Sequence, residues 1–173
     1  SNTGETYRLY TLAPKQNSSG NWDSFQIGGY QEFHSNGKPR YKYNLTVKQH
    51  DNGSWKSLKD GLYQYWYRDN NIVTEEATYV LQKSTSGYWS NLRSGTYKNW
   101  YYSNGQLTEQ YTFLPKQTGS GEWQEIKTGA YQSWHSNTGE TYRLYTLAPK
   151  QNSSGDWKTF QTGTYEQFHS NGA

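Results

Sequence analysis

Residues 95–105 read Gly95-Thr96-Tyr97-Lys98-Asn99-Trp100-Tyr101-Tyr102-Ser103-Asn104-Gly105. Glycine leads an aromatic run, and an Asn-Gly pair closes it. Gly and Asn accept positive φ, so the pair reads as a tight reversal after a short aromatic strand. The pattern occurs five times. Tyr30, Tyr63, Tyr97, Tyr131 and Tyr165 each follow a glycine two positions earlier. Three residues later stand Phe33, Trp66, Trp100, Trp134 and Phe168, and next to them His34, Tyr67, Tyr101, His135 and His169. A polar turn follows in each copy, ending with Ser170-Asn171-Gly172 in the last.

Outward from that run, a second aromatic register agrees with the first. Trp22, Trp55, Trp89, Trp123 and Trp157 are spaced by 33, 34, 34 and 34 residues. All eight tryptophans fall on these two lattice positions. Fixed-period self-similarity of this kind is the signature of a repeat architecture. Residues 1–20 are identical to residues 136–155, whereas beyond them Asn21 faces Asp156 and Ile27 faces Thr162. An identical block beside diverged neighbours reads as recent duplication. The chain 1–173 is therefore expected to be a single array, a window of a longer one.

Each unit reads as three extended pieces. The first is Gly-x-Tyr-x-x-Trp/Phe-His/Tyr. The second shows period-two alternation, with Tyr10 and Leu12, Tyr43 and Leu45, Ala77 and Tyr79, Tyr111 and Phe113, and Tyr145 and Leu147 on one face. Such alternation argues for a strand with one buried face. Pro14, Pro115 and Pro149 are expected to end it, because proline lacks the ladder donor. The third piece, after a Ser-Gly turn, is Trp-x-x-Φ, Φ being Phe25, Leu58, Leu92, Ile126 or Phe160. A spacing of three does not suit a flat strand. It predicts a bulge there, or a bent strand running on into the next Gly-x-Tyr. No window carries sustained helical spacing with caps. The expected fold is all-β: antiparallel repeats of about 34 residues in a twisted solenoid-like sheet of roughly 10–15 strands. A closed five-bladed propeller is the alternative.

Composition fits a thin sheet better than a thick core. Hydrophobic residues make up 31% of the 173, aromatics 18%, and the chain carries 18 Tyr and 8 Trp. Tyr and Trp bury large areas while keeping one polar atom that needs a partner. Seventeen basic against fourteen acidic residues give a net charge of +3, too weak and too dispersed for a nucleic-acid partner. No apolar stretch approaches the ~20 residues that span a bilayer, so no membrane insertion is expected. The absence of Cys excludes disulfides and thiolate metal sites. The Asn-, Ser-, Thr-, Gly- and Tyr-rich composition points to an extracellular or cell-surface setting.

The segments 61–71 and 95–105, with Glu75 and Tyr79 or Leu107, Glu109 and Tyr111 behind them, resemble a MORN-type repeat. The likeness is to the bacterial variant, Gly-x-aromatic-x-x-aromatic-aromatic-x-Asn-Gly. It covers roughly 20 of each 34 residues; the extra Ser-Gly-x-Trp-x-x-Φ block has no counterpart in it. The resemblance implies stacked antiparallel hairpins forming a grooved interaction scaffold, and no catalytic residues.

A search for chemistry supports that reading. Catalysis needs a unique convergent set of groups, whereas an array repeats its groups. His34, His135 and His169 share a lattice position with Tyr67 and Tyr101, which favours an aromatic packing role. His50 stands alone in a turn. No His pair has metal-ligand spacing. Glu75 and Glu76 are adjacent, and adjacent strand residues face opposite ways. No catalytic residue, metal or cofactor is expected. Trp22, Trp55, Trp89, Trp123 and Trp157 are expected to form the core spine. Trp66, Trp100 and Trp134, with Tyr67, Tyr101 and His135, are the candidate ligand- or self-contact aromatics. The expected function is a non-enzymatic structural or adhesive array that self-assembles into fibres. The alternative is a multivalent lectin-like module for polysaccharide, so the partner is another copy of the chain or a glycan.

Overall fold

The computed structural model describes residues 7–169; the Ser170-Asn171-Gly172 turn lies outside them. Among the described residues there is no helix. The strands are β1 (Arg8–Gln16), β2 (Trp22–Phe33), β3 (Pro39–Gln49), β4 (Trp55–Trp66), β5 (Val73–Lys83), β6 (Trp89–Arg93), β7 (Gly95–Trp100), β8 (Leu107–Gln117), β9 (Trp123–Trp134), β10 (Thr141–Gln151) and β11 (Trp157–Gln167). They form one antiparallel meander in sequence order, with β6 and β7 as two halves of a strand broken at Ser94. β1 and β11 occupy the two ends of the order and do not pair with each other. The sheet is therefore open and solenoid-like, and the propeller alternative is excluded.

The three expected pieces become two strands. Trp-x-x-Φ runs without interruption into the next Gly-x-Tyr, as in β2, β4 and β9. The bulge lies at Gly-x-Tyr itself. Lys42 pairs with Gln64 and Asn44 with Asp60, so Gly61-Leu62-Tyr63 stand opposite the single residue Tyr43. Gly61 takes φ 78°, in a region that costs an L-residue roughly 1–2 kcal/mol, which is why the motif begins with glycine.

The bulge divides each hairpin into two regimes. Beyond the Ser-Gly turn the partners pair over their full length, for example β3 with β4 and β8 with β9. Neighbouring hairpins pair only between the bulge and the Asn-Gly turn: β2 joins β3 over Gly28–Phe33, and β7 joins β8 over Gly95–Trp100. The Ser-Gly ends are thus two-stranded arms. This accounts for the prolines, which do not end the strands as expected. Pro14, Pro115 and Pro149 sit inside β1, β8 and β10, paired to one neighbour only, and a locally one-sided strand tolerates the missing N–H.

The core is a tyrosine ladder on one face. Directly opposed Tyr30 and Tyr43 stack at 4.6 Å, Tyr97 and Tyr111 at 4.9 Å, and Tyr131 and Tyr145 at 4.4 Å. Links between hairpins continue it, as with Tyr43 and Tyr63 at 5.9 Å and Tyr111 and Tyr131 at 6.0 Å. Ala77 interrupts the ladder, and there Tyr79 meets Tyr63 edge-on at 5.8 Å. Each well-placed ring pair adds about 0.5–1.5 kcal/mol beyond its buried area. In the arms, Leu58, Leu92 and Ile126 are buried; these are the Φ positions of Trp-x-x-Φ.

The expected tryptophan spine is not the core. None of the five is buried, and Trp22 is 66% exposed. An arm two strands wide has no second layer over it, and an indole carries an N–H that needs an acceptor. The Φ residue has no such need and takes the inward side in the three middle units, whereas Phe25 is half-buried and Phe160 exposed. The indole instead lies against the preceding arm. Trp55 Nε1 donates to the Gln16 carbonyl (2.9 Å), Trp123 to Lys83 (2.9 Å) and Trp157 to Gln117 (2.8 Å). Lys15, Lys48 and Lys116 cover the rings of Trp55, Trp89 and Trp157 at 4.8–5.2 Å. These tryptophans are locks between units.

Candidate functional site

The tyrosine face is closed by charged residues that serve the ladder. Tyr30 donates to Glu32 at 2.7 Å, and Glu32 also takes Arg8 (3.2 Å) and Arg40 (2.9 Å). Burial pushes the Glu32 carboxyl up, but the Tyr30 hydroxyl and the two guanidinium groups outweigh it and hold the acid below its usual range. Lys59 sits 4.2 Å above the Tyr63 ring, and burial lowers its pKa. Lys127 lies 3.9 Å above Tyr111. Arg93 lies 4.1 Å above Phe113 and binds Glu125 through Nε at 2.8 Å. Burial raises the phenols of Tyr30, Tyr63, Tyr111 and Tyr131 well above the ordinary tyrosine value. These cations lie on rings or carboxylates of their own sheet.

Tyr67, Tyr101 and His135, expected at the contact surface, lie along the Asn-Gly turn edge. His135 Nε2 donates to the Phe168 carbonyl at 3.3 Å, and His34 makes the same bond to Trp66 at 3.0 Å. Tyr67 and Tyr101 both pack on Tyr102, at 4.6 and 4.8 Å. These groups tie one unit to the next. Beside them runs an asparagine ladder: Asn36, Asn70 and Asn104 each give Nδ2 to a carbonyl of the next turn, on Arg68, Tyr102 and Ser136. His50 is not partnerless. It is buried, and its Nδ1 accepts the Trp89 backbone N–H at 2.9 Å.

Trp66, Trp100 and Trp134 lie elsewhere. Strand alternation puts them on the opposite face, two residues beyond Gln64, Lys98 and Gln132. That face carries one unbroken cross-strand row. Leu9, Gln31, Lys42, Gln64 and Glu76 are successive partners, and Glu76 passes the row on to Lys98, Gln110, Gln132, Leu144 and Glu166. Gln64 Nε2 donates to Glu76 at 2.9 Å within it. A shallow trough of about 470 Å³ follows the first four strands of the row, floored by Leu9, Gln31, Lys42, Asn44, Leu62 and Gln64. A second hollow of about 170 Å³ adjoins it through Gln31 and Lys42 and reaches between Phe33 and Trp66. The structure thus separates the six expected contact aromatics into three on this face, of which Trp66 lines the second hollow, and three at the turn edge. The row itself was missed in the sequence, although polar residues directly after each lattice Tyr (Gln31, Gln64, Lys98, Gln132, Glu166) were a visible signal.

Glu75 and Glu76 point to opposite faces: Glu75 pairs across from Tyr65 and Asn99, while Glu76 belongs to the polar row. Among the described residues no group of three or more His, Cys, Asp or Glu is placed to hold a metal ion. No helix among them is long and apolar enough to cross a membrane. No family model, curated protein or solved structure matches this chain.

Proposed function

We propose that the chain is a non-enzymatic repeat scaffold, an extracellular or cell-surface structural or adhesive protein that self-associates end to end into fibres. The observation that carries this reading is the recurrence of one contact between units. A tryptophan indole caps a carbonyl of the preceding arm in three of the unit junctions, and a lysine covers the ring in three. Lys150-Gln151 in the last arm repeats the Lys15-Gln16 pair that receives Trp55. A heterologous contact of this kind propagates without closing. The likeness to MORN-type scaffolds agrees with it.

Sedimentation velocity and negative-stain micrographs over a concentration series test the reading. Filaments that lengthen with concentration are the expected result. Single particles at every concentration would sink it.

A further inference from the structure

We infer that the trough on the polar face binds an extended, uncharged, β-linked polysaccharide, a function separate from end-to-end assembly. Three features of the face select this ligand. The first is shape. The trough and the hollow between Phe33 and Trp66 are continuous through Gln31 and Lys42, and they follow the sheet axis rather than forming a closed pocket. A linear polymer matches that geometry. The second is period. Phe33, Trp66, Trp100 and Trp134 recur on every second strand, hence roughly 10 Å apart. That separation is beyond ring-to-ring contact, and Trp66, Trp100 and Trp134 are each half-buried, so part of every ring stays open to a ligand. A flat β-linked glucan advances by a similar length for every two sugars, so one chain meets the same ring in the same phase at each unit. Helical α-linked glucans do not keep that phase.

The third feature is chemistry. Sugars offer apolar C–H faces for aromatic rings and a rim of hydroxyls for amides. The row supplies Gln31, Gln64, Gln110 and Gln132, while Leu62 in the trough is exposed. Its charges balance, Lys42 and Lys98 against Glu76 and Glu166, so the face has no net preference for an anionic glycan. The same charges argue against a second copy of the sheet as occupant. A dry face-to-face zipper would bury them without partners. Several weak equivalent subsites along one chain gain by avidity, so affinity should climb with ligand length.

Calorimetry with cellobiose and cellohexaose, and native gels cast with soluble β-1,4-glucan, test the proposal on the full chain. Dextrin and polygalacturonate serve as α-linked and anionic controls. We expect the hexasaccharide to bind at least about tenfold more tightly than the disaccharide, with retardation only in the β-glucan gel. Trp66→Ala should weaken binding by about tenfold. Gln31→Ala, at an amide that lines both hollows, should weaken it several-fold at an unchanged urea midpoint. Absent retardation by folded wild-type protein overturns the proposal. So does equal retardation by dextrin or polygalacturonate, or wild-type binding by both variants. Sedimenting dimers whose trough amides are protected from hydrogen exchange would overturn it in favour of a second copy. Filament formation has its own readout, so loss of one function leaves the other measurable.

Discussion

Single replacements in the arms separate a lock from a core. Trp55→Phe keeps a ring under Lys15 but removes the 2.9 Å bond from Nε1 to the Gln16 carbonyl. That carbonyl lies near solvent and can take water instead, so the net loss is that of an ordinary hydrogen bond, about 1 kcal/mol. With a urea m value of roughly 1–3 kcal/mol/M, the midpoint should fall by about 0.3–1 M. Trp22→Phe removes no such bond, because Trp22 is 66% exposed and its indole caps no carbonyl among the described residues, and its effect should stay within about 0.5 kcal/mol. Leu58→Ala empties a site only 1% exposed and should cost about 2–5 kcal/mol. The assay is equilibrium urea unfolding at a protein concentration where the wild type is monomeric, with hydrogen exchange to locate the loss. The predicted order is Leu58→Ala far above Trp55→Phe, with Trp22→Phe near zero. Equal losses for the two tryptophans, or a loss at Trp55 matching that at Leu58, would refute the assignment of burial to Φ.

The Glu32 cluster predicts an acid-sensitive first unit. Its folded pKa is lowered, so its contribution is complete above the ordinary value of 4.5 and is lost as pH falls below it through the folded value. Glu32→Gln should flatten that part of the pH profile of thermal stability, and an unchanged profile counts against the cluster. The buried phenols act at the other end. Their raised pKa values favour the folded state fully below 10.0, and this is lost as pH rises from there toward the folded values. Absorbance near 295 nm should therefore show exposed tyrosines ionising first and the ladder only with unfolding; a single smooth titration would contradict the ladder. Gly95→Ala and Gly155→Ala separate strain from crowding. Both have positive φ, but a Cβ at Gly95 meets nothing within 4 Å, whereas one at Gly155 would sit 2.7 Å from the Gly119 Cα. Gly95→Ala should cost about 1–2 kcal/mol, and Gly155→Ala more, since backbone must move. Equal costs in urea unfolding would remove the turn-to-turn contact from the account.

The repeat and the antiparallel strands are readable in the chain because each rests on local chemistry repeated five times, whereas an open and a closed array share that chemistry and only the order of the strands decides between them. Asn-Gly turns, the alternation of Tyr111 with Thr112 and Phe113, and the glycine of Gly-x-Tyr each point one way. The role of Trp-x-x-Φ is not readable, since either large residue suits burial by type. Only the narrowness of the arm, and the acceptor waiting at Gln16 or Lys83, decides that the indole stays outside. Cross-strand neighbours are equally invisible in one dimension. Gln31 and Lys42 are recognisable as polar, but their meeting depends on a bulge that puts Gly61-Leu62-Tyr63 opposite one residue and so fixes the register. His50 shows the limit most plainly. Nothing near it in the chain indicates a bond to the backbone of Trp89, 39 residues on.

The pairing of neighbouring hairpins over only half a strand has a mechanical consequence. Tension between the two ends of the meander acts along the direction of the inter-strand bonds and loads them one at a time. Units then peel in succession at low force rather than shear together at high force. Each released unit of about 34 residues pays out roughly 110–120 Å of chain. Repeats of this design behave as a series of fuses, lengthening under load while the remaining units keep their locks.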